Sequence, residues 1–297
     1  MKRNLYRLLG LLLVAVATIT MFLIYRMPTQ GSTTPKKTVT EVNHSKNKPV
    51  TNNYPVTLFF HGYGGTSFSM GGMIQRLSNH YQAIHTLDLM VQADGQIQEK
   101  GHFQTSNKPI LINVLFEDNK NNEWNQATWI EGVLNYLKTQ YQISEVNVVG
   151  HSMGGVSLFR YLFTYANQSE VAHVNKFIAI AAPFNEFIDS FTQQNQAELL
   201  QNGPAIESAR YQDFANSIAQ FPSDIQVTLF AGKLSADELD DGTVPLSSAL
   251  AVNSLLINHG NQVQTKIFTG IRAQHSALHA NSKVDQAVAE ILWSKRK

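Results

Sequence analysis

The sequence predicts one α/β domain over residues 54–297, with a mostly parallel central sheet and helices on both faces. Three observations predict it. From Tyr54 onward, short apolar strand-like runs alternate with amphipathic helical stretches. A glycine-rich turn at Gly150-His151-Ser152-Met153-Gly154-Gly155 joins one such run to a helix. The stretch is also long enough for one sizeable core. Strands alternating with helices pair in parallel through right-handed crossovers, which place helices over both sheet faces.

Val56 to Phe60 reads as a buried strand ending at His61-Gly62-Tyr63-Gly64-Gly65. A helix is expected around Met70 to Asn79 and a strand near Ala83 to Leu89. Val91 to Gly101, with Ala93-Asp94-Gly95-Gln96 as its turn, looks like an extra hairpin. Ile110 to Phe116 is a further strand, and Trp124 to Gln140 carries Trp129, Val133, Tyr136 and Leu137 on a helical face. Val146 to Val149 runs into the glycine-rich turn, which Val156 to Asn167 leaves as a helix. Phe177 to Ala182 is a strand stopped by Pro183. Residues 184–221 read as a mostly helical cap insertion, rich in Gln, Asn and Ala. Strands at Val227 to Phe230 and Gln264 to Thr269 and a closing helix at Val284 to Trp293 complete the pattern.

The chain has 297 residues, a net charge of +1 and no cysteine. The near-neutral charge, with Lys and Arg scattered rather than striped, argues against a nucleic-acid partner. Lack of cysteine excludes disulfides, a thiolate nucleophile and Cys-ligated zinc. Residues 1–26 combine Lys2, Arg3 and Arg7 with an uncharged run from Leu8 to Tyr25. That pattern predicts a single membrane-spanning anchor with its N-terminus in the cytoplasm and everything after Arg26 outside the cell. A cleaved signal peptide is the rival, because Ala15-Val16-Ala17 fits a small-x-small cleavage site. Residues 27–53, rich in Thr, Lys, Pro, Asn and Ser, read as a flexible linker.

Glycines two residues either side of Ser152 have a steric reason. A strand-to-helix turn this tight holds its central residue at strained backbone angles, and side chains at 150 and 154 would collide with neighbours. The serine hydroxyl then stands at a helix N-terminus, whose dipole favours developing negative charge. The bland alternative is an ordinary N-cap serine. The setting is that of the nucleophile turn in α/β hydrolases, and it points to Ser152 as the nucleophile.

A serine hydroxyl needs a base, and the base needs an orienting carboxylate, in the chain order Ser, Asp, His. Leu239-Asp240-Asp241-Gly242-Thr243-Val244-Pro245 follows a late strand and offers Asp241, with Asp240 as its competitor. Thr269 to Ser276 follows the last strand and selects His275, with His279 as the alternative. The oxyanion donors are expected from the Met153 amide and from the early loop at Tyr63, with Gly64 as runner-up. His61 is read as a residue that holds this loop. No metal or cofactor is expected, since the Glu of a His-Glu-x-x-His site is missing.

Together with Phe60-His61-Gly62-Tyr63-Gly64-Gly65, Pro109 to Asn119, Ala182-Pro183-Phe184-Asn185 and His275-Ser276-Ala277-Leu278-His279, these motifs resemble a group within the α/β hydrolases. The group is the cell-surface hydrolases of Gram-positive bacteria, first catalogued as a domain of unknown function. Similar proteins more often carry Ser-Asp-Gly where this chain has Asp240-Asp241-Gly242. The resemblance implies the α/β-hydrolase fold and a serine hydrolase, esterase- or lipase-like, acting on a small-molecule or lipid-like ester. Acyl transfer to a cell-envelope alcohol and a non-catalytic surface-binding module remain competing expectations. Residues 184–221 are expected to form a lid whose aromatic residues line an acyl pocket or build the cap's own core.

Overall fold

The structure is a computed structural model and describes residues 54–293. The expected membrane helix at 1–26 and linker at 27–53 lie outside the described residues. Among the described residues no helix is long and apolar enough to cross a membrane.

Tyr54 onward gives the expected alternation. In chain order come β1 (Val56–Phe60), α1 (Ser67–Tyr81), β2 (Ile84–Val91), β3 (Ile97–Gly101), β4 (Ile110–Phe116) and α2 (Glu123–Tyr141). Then follow β5 (Glu145–His151), α3 (Met153–Thr164), β6 (His173–Ile180), α4 (Gln196–Asn202), α5 (Ala209–Ser217) and β7 (Gln226–Lys233). The last elements are α6 (Leu246–Ala249), α7 (Asn253–His259), β8 (Val263–Thr269) and α8 (Ser282–Trp293). Among the described residues the strands form one sheet in the order β3-β2-β4-β1-β5-β6-β7-β8. Every pairing is parallel except β2 with β3, the expected hairpin at one edge.

Parallel strands covered on both faces should read as continuous apolar runs, and β1 and β4 are buried at every position. One face packs Met70, Met73, Ile74 and Leu77 of α1 with Val284, Val288 and Leu292 of α8. The other packs Ile130, Val133, Leu134 and Leu137 of α2 with Leu158, Phe159 and Leu162 of α3. Side-chain caps set the helix starts. Thr66 and Ser69 form a capping box on α1, and the Asn122 side chain accepts from the Trp124 and Asn125 amides at α2. Both helices end on a left-handed glutamine, Gln82 and Gln142.

Two expectations change. The helix after the glycine-rich turn begins at Met153, not Val156, so Ser152 sits directly at its N-terminus. Residues 184–221 are less helical than composition suggests. They hold two short helices and a single 3-10 turn, because Gly203-Pro204 and Pro222 interrupt helical hydrogen bonding. Within this segment Phe184, Phe214 and Phe221 crowd the ring of Phe159 at centroid distances of 4.8, 4.8 and 5.3 Å. Those rings and Tyr211 are buried, so they make core against α3 and line no acyl pocket. Phe187 stays exposed and Phe191 half-buried.

Candidate active site

Ser152 follows β5 and opens α3 with φ of 53° and ψ of −123°, a backbone that L-residues rarely adopt. Its side chain makes no capping bond, so the ordinary N-cap reading does not describe this serine. The surrounding glycines hold the turn by necessity. A Cβ at Gly150 would stand 2.7 Å from the Gly154 carbonyl group, and one at Gly154 would strike the carbonyl oxygens of Phe60 and His61. The Ser152 N–H is anchored on the Ile180 carbonyl of the neighbouring strand at 2.9 Å. Ser152 and Met153 both remain half-buried, open to an approaching molecule.

The late loops bring the expected partners to it. His275 Nε2 lies 2.9 Å from Ser152 Oγ, and its Nδ1 lies 2.8 Å from Asp241 Oδ2. The other carboxylate oxygen, Oδ1, accepts from the amides of Thr243 at 3.0 Å and Val244 at 2.7 Å. The His275 amide also donates to the Asp241 carbonyl at 2.9 Å, so the two loops are clipped together twice. Asp240 faces elsewhere: its Oδ1 accepts from the Gly242 amide at 2.7 Å and closes the turn. The chain therefore brings Asp241, buried to 1% exposure, and not Asp240, to the imidazole.

The early loop lies against the serine from the other side. A Cβ at Gly62 would come within 2.9 Å of Ser152 Cβ, so only glycine permits this approach. Gly64 donates to Asn119 O at 2.8 Å and Gly65 to Gly62 O at 3.0 Å, whereas the Tyr63 amide has no acceptor within the described residues. The Met153 amide is the first of its helix and has no intrahelical acceptor either. His61 holds the loop. Its Nε2 accepts from the Phe116 amide at 3.1 Å, so Nδ1 carries the proton and donates to Gly62 O at 2.8 Å. Burial pushes its pKa below the usual histidine value, outweighing the Gly62 bond, and keeps it neutral.

Behind His275 is an arrangement that the one-dimensional pattern does not reveal. His151 is buried and donates through Nε2 to the His275 carbonyl at 3.0 Å. Its ring stands 4.8 Å from that of His275 and 4.9 Å from that of His279. Burial first, then neighbouring His275 and His279, holds His151 well below the usual histidine range. His279 thus packs behind the site and does not face Ser152. Its carbonyl accepts from Arg76 Nη2 at 2.8 Å, and Arg76 is pinned to the buried Asp285 by bonds of 2.6 and 3.0 Å. The only sequence cue to His151 is its position beside the nucleophile, because its partners are more than a hundred residues away.

The hydrogen-bonded serine, imidazole and carboxylate above a parallel sheet, with two unpartnered amides nearby, match what acyl-transfer chemistry needs. No curated protein sequence matches the chain. Among solved structures, the product of gene lin2722 of Listeria innocua is 26% identical, with a TM-score of 0.76 over 82% of this chain and 96% of that one. A protein of Lactobacillus plantarum WCFS1 titled "putative cell surface hydrolase" is 20% identical, with a TM-score of 0.62 over 80% of this chain and 89% of that one. The family described as alpha/beta hydrolase of unknown function (DUF915) matches residues 43–295, and the chain belongs to it: this protein is an alpha/beta hydrolase.

Proposed function

We propose that the protein is a serine hydrolase that cleaves carboxylic esters through an acyl–Ser152 intermediate. The observation that carries this reading is the unbroken chain Ser152 Oγ, His275, Asp241, built on a serine whose strained backbone serves no capping purpose. Ser152 Oγ attacks the ester carbonyl carbon while its proton passes to His275 Nε2. Asp241 accepts from Nδ1 and stabilises the imidazolium. The tetrahedral oxyanion is held by the Met153 and Tyr63 amides, each such donor contributing about 3 kcal/mol. Collapse breaks the C–O bond, and the leaving alkoxide takes the His275 proton. Water then attacks the acyl carbon and gives a proton to His275; the acyl C–Oγ bond breaks, Ser152 Oγ takes that proton back from His275, and the carboxylic acid leaves.

The uncharged run from Leu8 to Tyr25 behind Lys2, Arg3 and Arg7 supports anchoring in the cell membrane with the hydrolase domain outside the cell. A fluorophosphonate probe tests the chemistry directly. It is expected to label the wild-type chain and to leave Ser152→Ala untouched, and a folded wild-type sample that takes no label overturns the reading.

A further inference from the structure

Among the described residues the cover over the sheet is incomplete at its hairpin edge. In β2, Leu87, Leu89 and Val91 are fully buried under the helices of one face, whereas Asp88 and Met90 on the opposite face stay half-exposed. The register aligns Asp88 with Lys100 and Met90 with Gln98 across the hairpin, and Met90 with Leu115 of β4. These residues share one face of three adjacent strands, and the start of α1 at Thr66 and Ser67 closes one side. The result is a cavity of about 590 Å³. That volume lies within the roughly 300–1,000 Å³ of small-molecule sites.

Its walls are polar and partly locked. Asp88 Oδ1 is engaged by His85 at 3.1 Å, Glu117 Oε2 accepts from the Ala93 amide at 3.2 Å, and Asn119 Nδ2 donates to Gly65 O at 2.8 Å. The Gln92 and Gln98 side chains bond no group among the described residues. Ligand classes separate on this chemistry. An acyl chain would bury these polar groups unpaired. An anion would meet the carboxylates of Asp88 and Glu117 against a single Lys100, because Glu99 points to the other face of the hairpin and accepts from the Tyr141 hydroxyl. A metal ion is unsuited, because no three of the described carboxylates and histidines converge on a point. Hydroxyl groups, which both donate and accept, match carboxylates beside carboxamides, and the apolar floor of Met90 and Leu115 suits the C–H face of a sugar ring.

We propose that this cavity binds the hydroxyl-rich, sugar-like portion of the substrate, an assignment that rests on the ester-hydrolase reading above. Asn119 joins the two places. It lines the cavity and clamps the Tyr63 loop on its C-terminal side, accepting from the Gly64 amide through its backbone carbonyl and donating to the Gly65 carbonyl through its side chain.

The test is calorimetric titration of the full chain in detergent with glucose, N-acetylglucosamine, cellotriose, chitotriose and, as an acyl stand-in, hexanoate. At least one saccharide is expected to bind, and Gln98→Leu and Lys100→Met, both exposed on edge strand β3, are each expected to weaken it about tenfold at unchanged melting temperature. No saccharide binding, saccharide binding indifferent to both variants, or hexanoate binding lost in their place overturns the inference. Fluorophosphonate labelling reads separately. Labelled protein without saccharide binding refutes the cavity alone, whereas saccharide binding without labelling refutes the hydrolase reading and with it the assignment of the saccharide to a substrate.

Discussion

Replacing Asp241 by Asn tests the site at its orienting carboxylate. Oδ1 accepts from two backbone amides, at 3.0 and 2.7 Å, while Oδ2 faces the His275 Nδ1. An asparagine must keep its carbonyl oxygen toward the Thr243 and Val244 amides, because the flipped amide would set its NH2 against two N–H donors. Its NH2 then points at Nδ1, which must accept, and the imidazole proton moves to Nε2. In that tautomer His275 cannot take the Ser152 proton. We expect kcat to fall on the order of 10⁴-fold, about 5.5 kcal/mol of transition-state stabilisation, measured with a chromogenic short-chain ester. Stability should change little, since both backbone donors stay satisfied. Asp241→Ala leaves them bare, at roughly 1–3 kcal/mol for each buried group. Asp240→Asn, which still closes its turn on the Gly242 amide, should stay near wild type. If Asp241→Asn retains more than about a tenth of wild-type kcat while Asp240→Asn loses it, the carboxylate assignment is refuted.

Other perturbations read different parts of the structure. His61 and His151 are buried with pKa values below the ordinary 6.5, so the unfolded chain binds protons that the folded chain refuses. Their contribution is complete above pH 6.5 and is lost as the pH falls from there toward the folded values, at up to about 1.4 kcal/mol per pH unit for each group. Urea midpoints between about pH 7 and pH 5 should therefore decline, less steeply in His151→Asn, and an equal slope in that variant would count against a neutral buried His151. Gly154→Ala drives a methyl group into the Phe60 and His61 carbonyls, and should cost roughly 1–3 kcal/mol in chemical denaturation while displacing the Tyr63 loop. Wild-type stability there would mean that the turn can relax. Arg76→Met strips the buried Asp285 of its cation and should destabilise by roughly 3 kcal/mol, with Asp285→Asn in the same background recovering part of the loss.

Legibility in the sequence followed range. β1 and β4 were readable to the residue, because a strand buried on both faces is a continuous apolar run with polar or glycine stops. Helix ends shifted by up to three residues, as at Met153, where the start is set by the turn and not by apolar spacing. The insertion misled because Gln, Asn and Ala are helix-compatible but carry no information about what Phe184, Phe214 and Phe221 touch. In the site, chain order and local turn chemistry point to Ser152, Asp241 and His275, and the fold brings all three within hydrogen-bond distance. The loop sequence offers both the Tyr63 and the Gly64 amides, and in the structure the Gly64 amide is spent on Asn119.

By itself the sequence determined the local geometry: where glycine must stand around Ser152, which strand precedes each polar loop, and an uncharged N-terminal run suited to a membrane. These follow from steric and periodic rules acting over a few residues. Only the tertiary structure set Asp241 and not Asp240 against the His275 imidazole, moved His279 away from the serine and set His151 behind His275. Among the described residues it also left the hairpin face uncovered. Each of these depends on contacts between segments far apart in the chain, and the direction in which a side chain points across such a contact is fixed by packing, which no local pattern encodes.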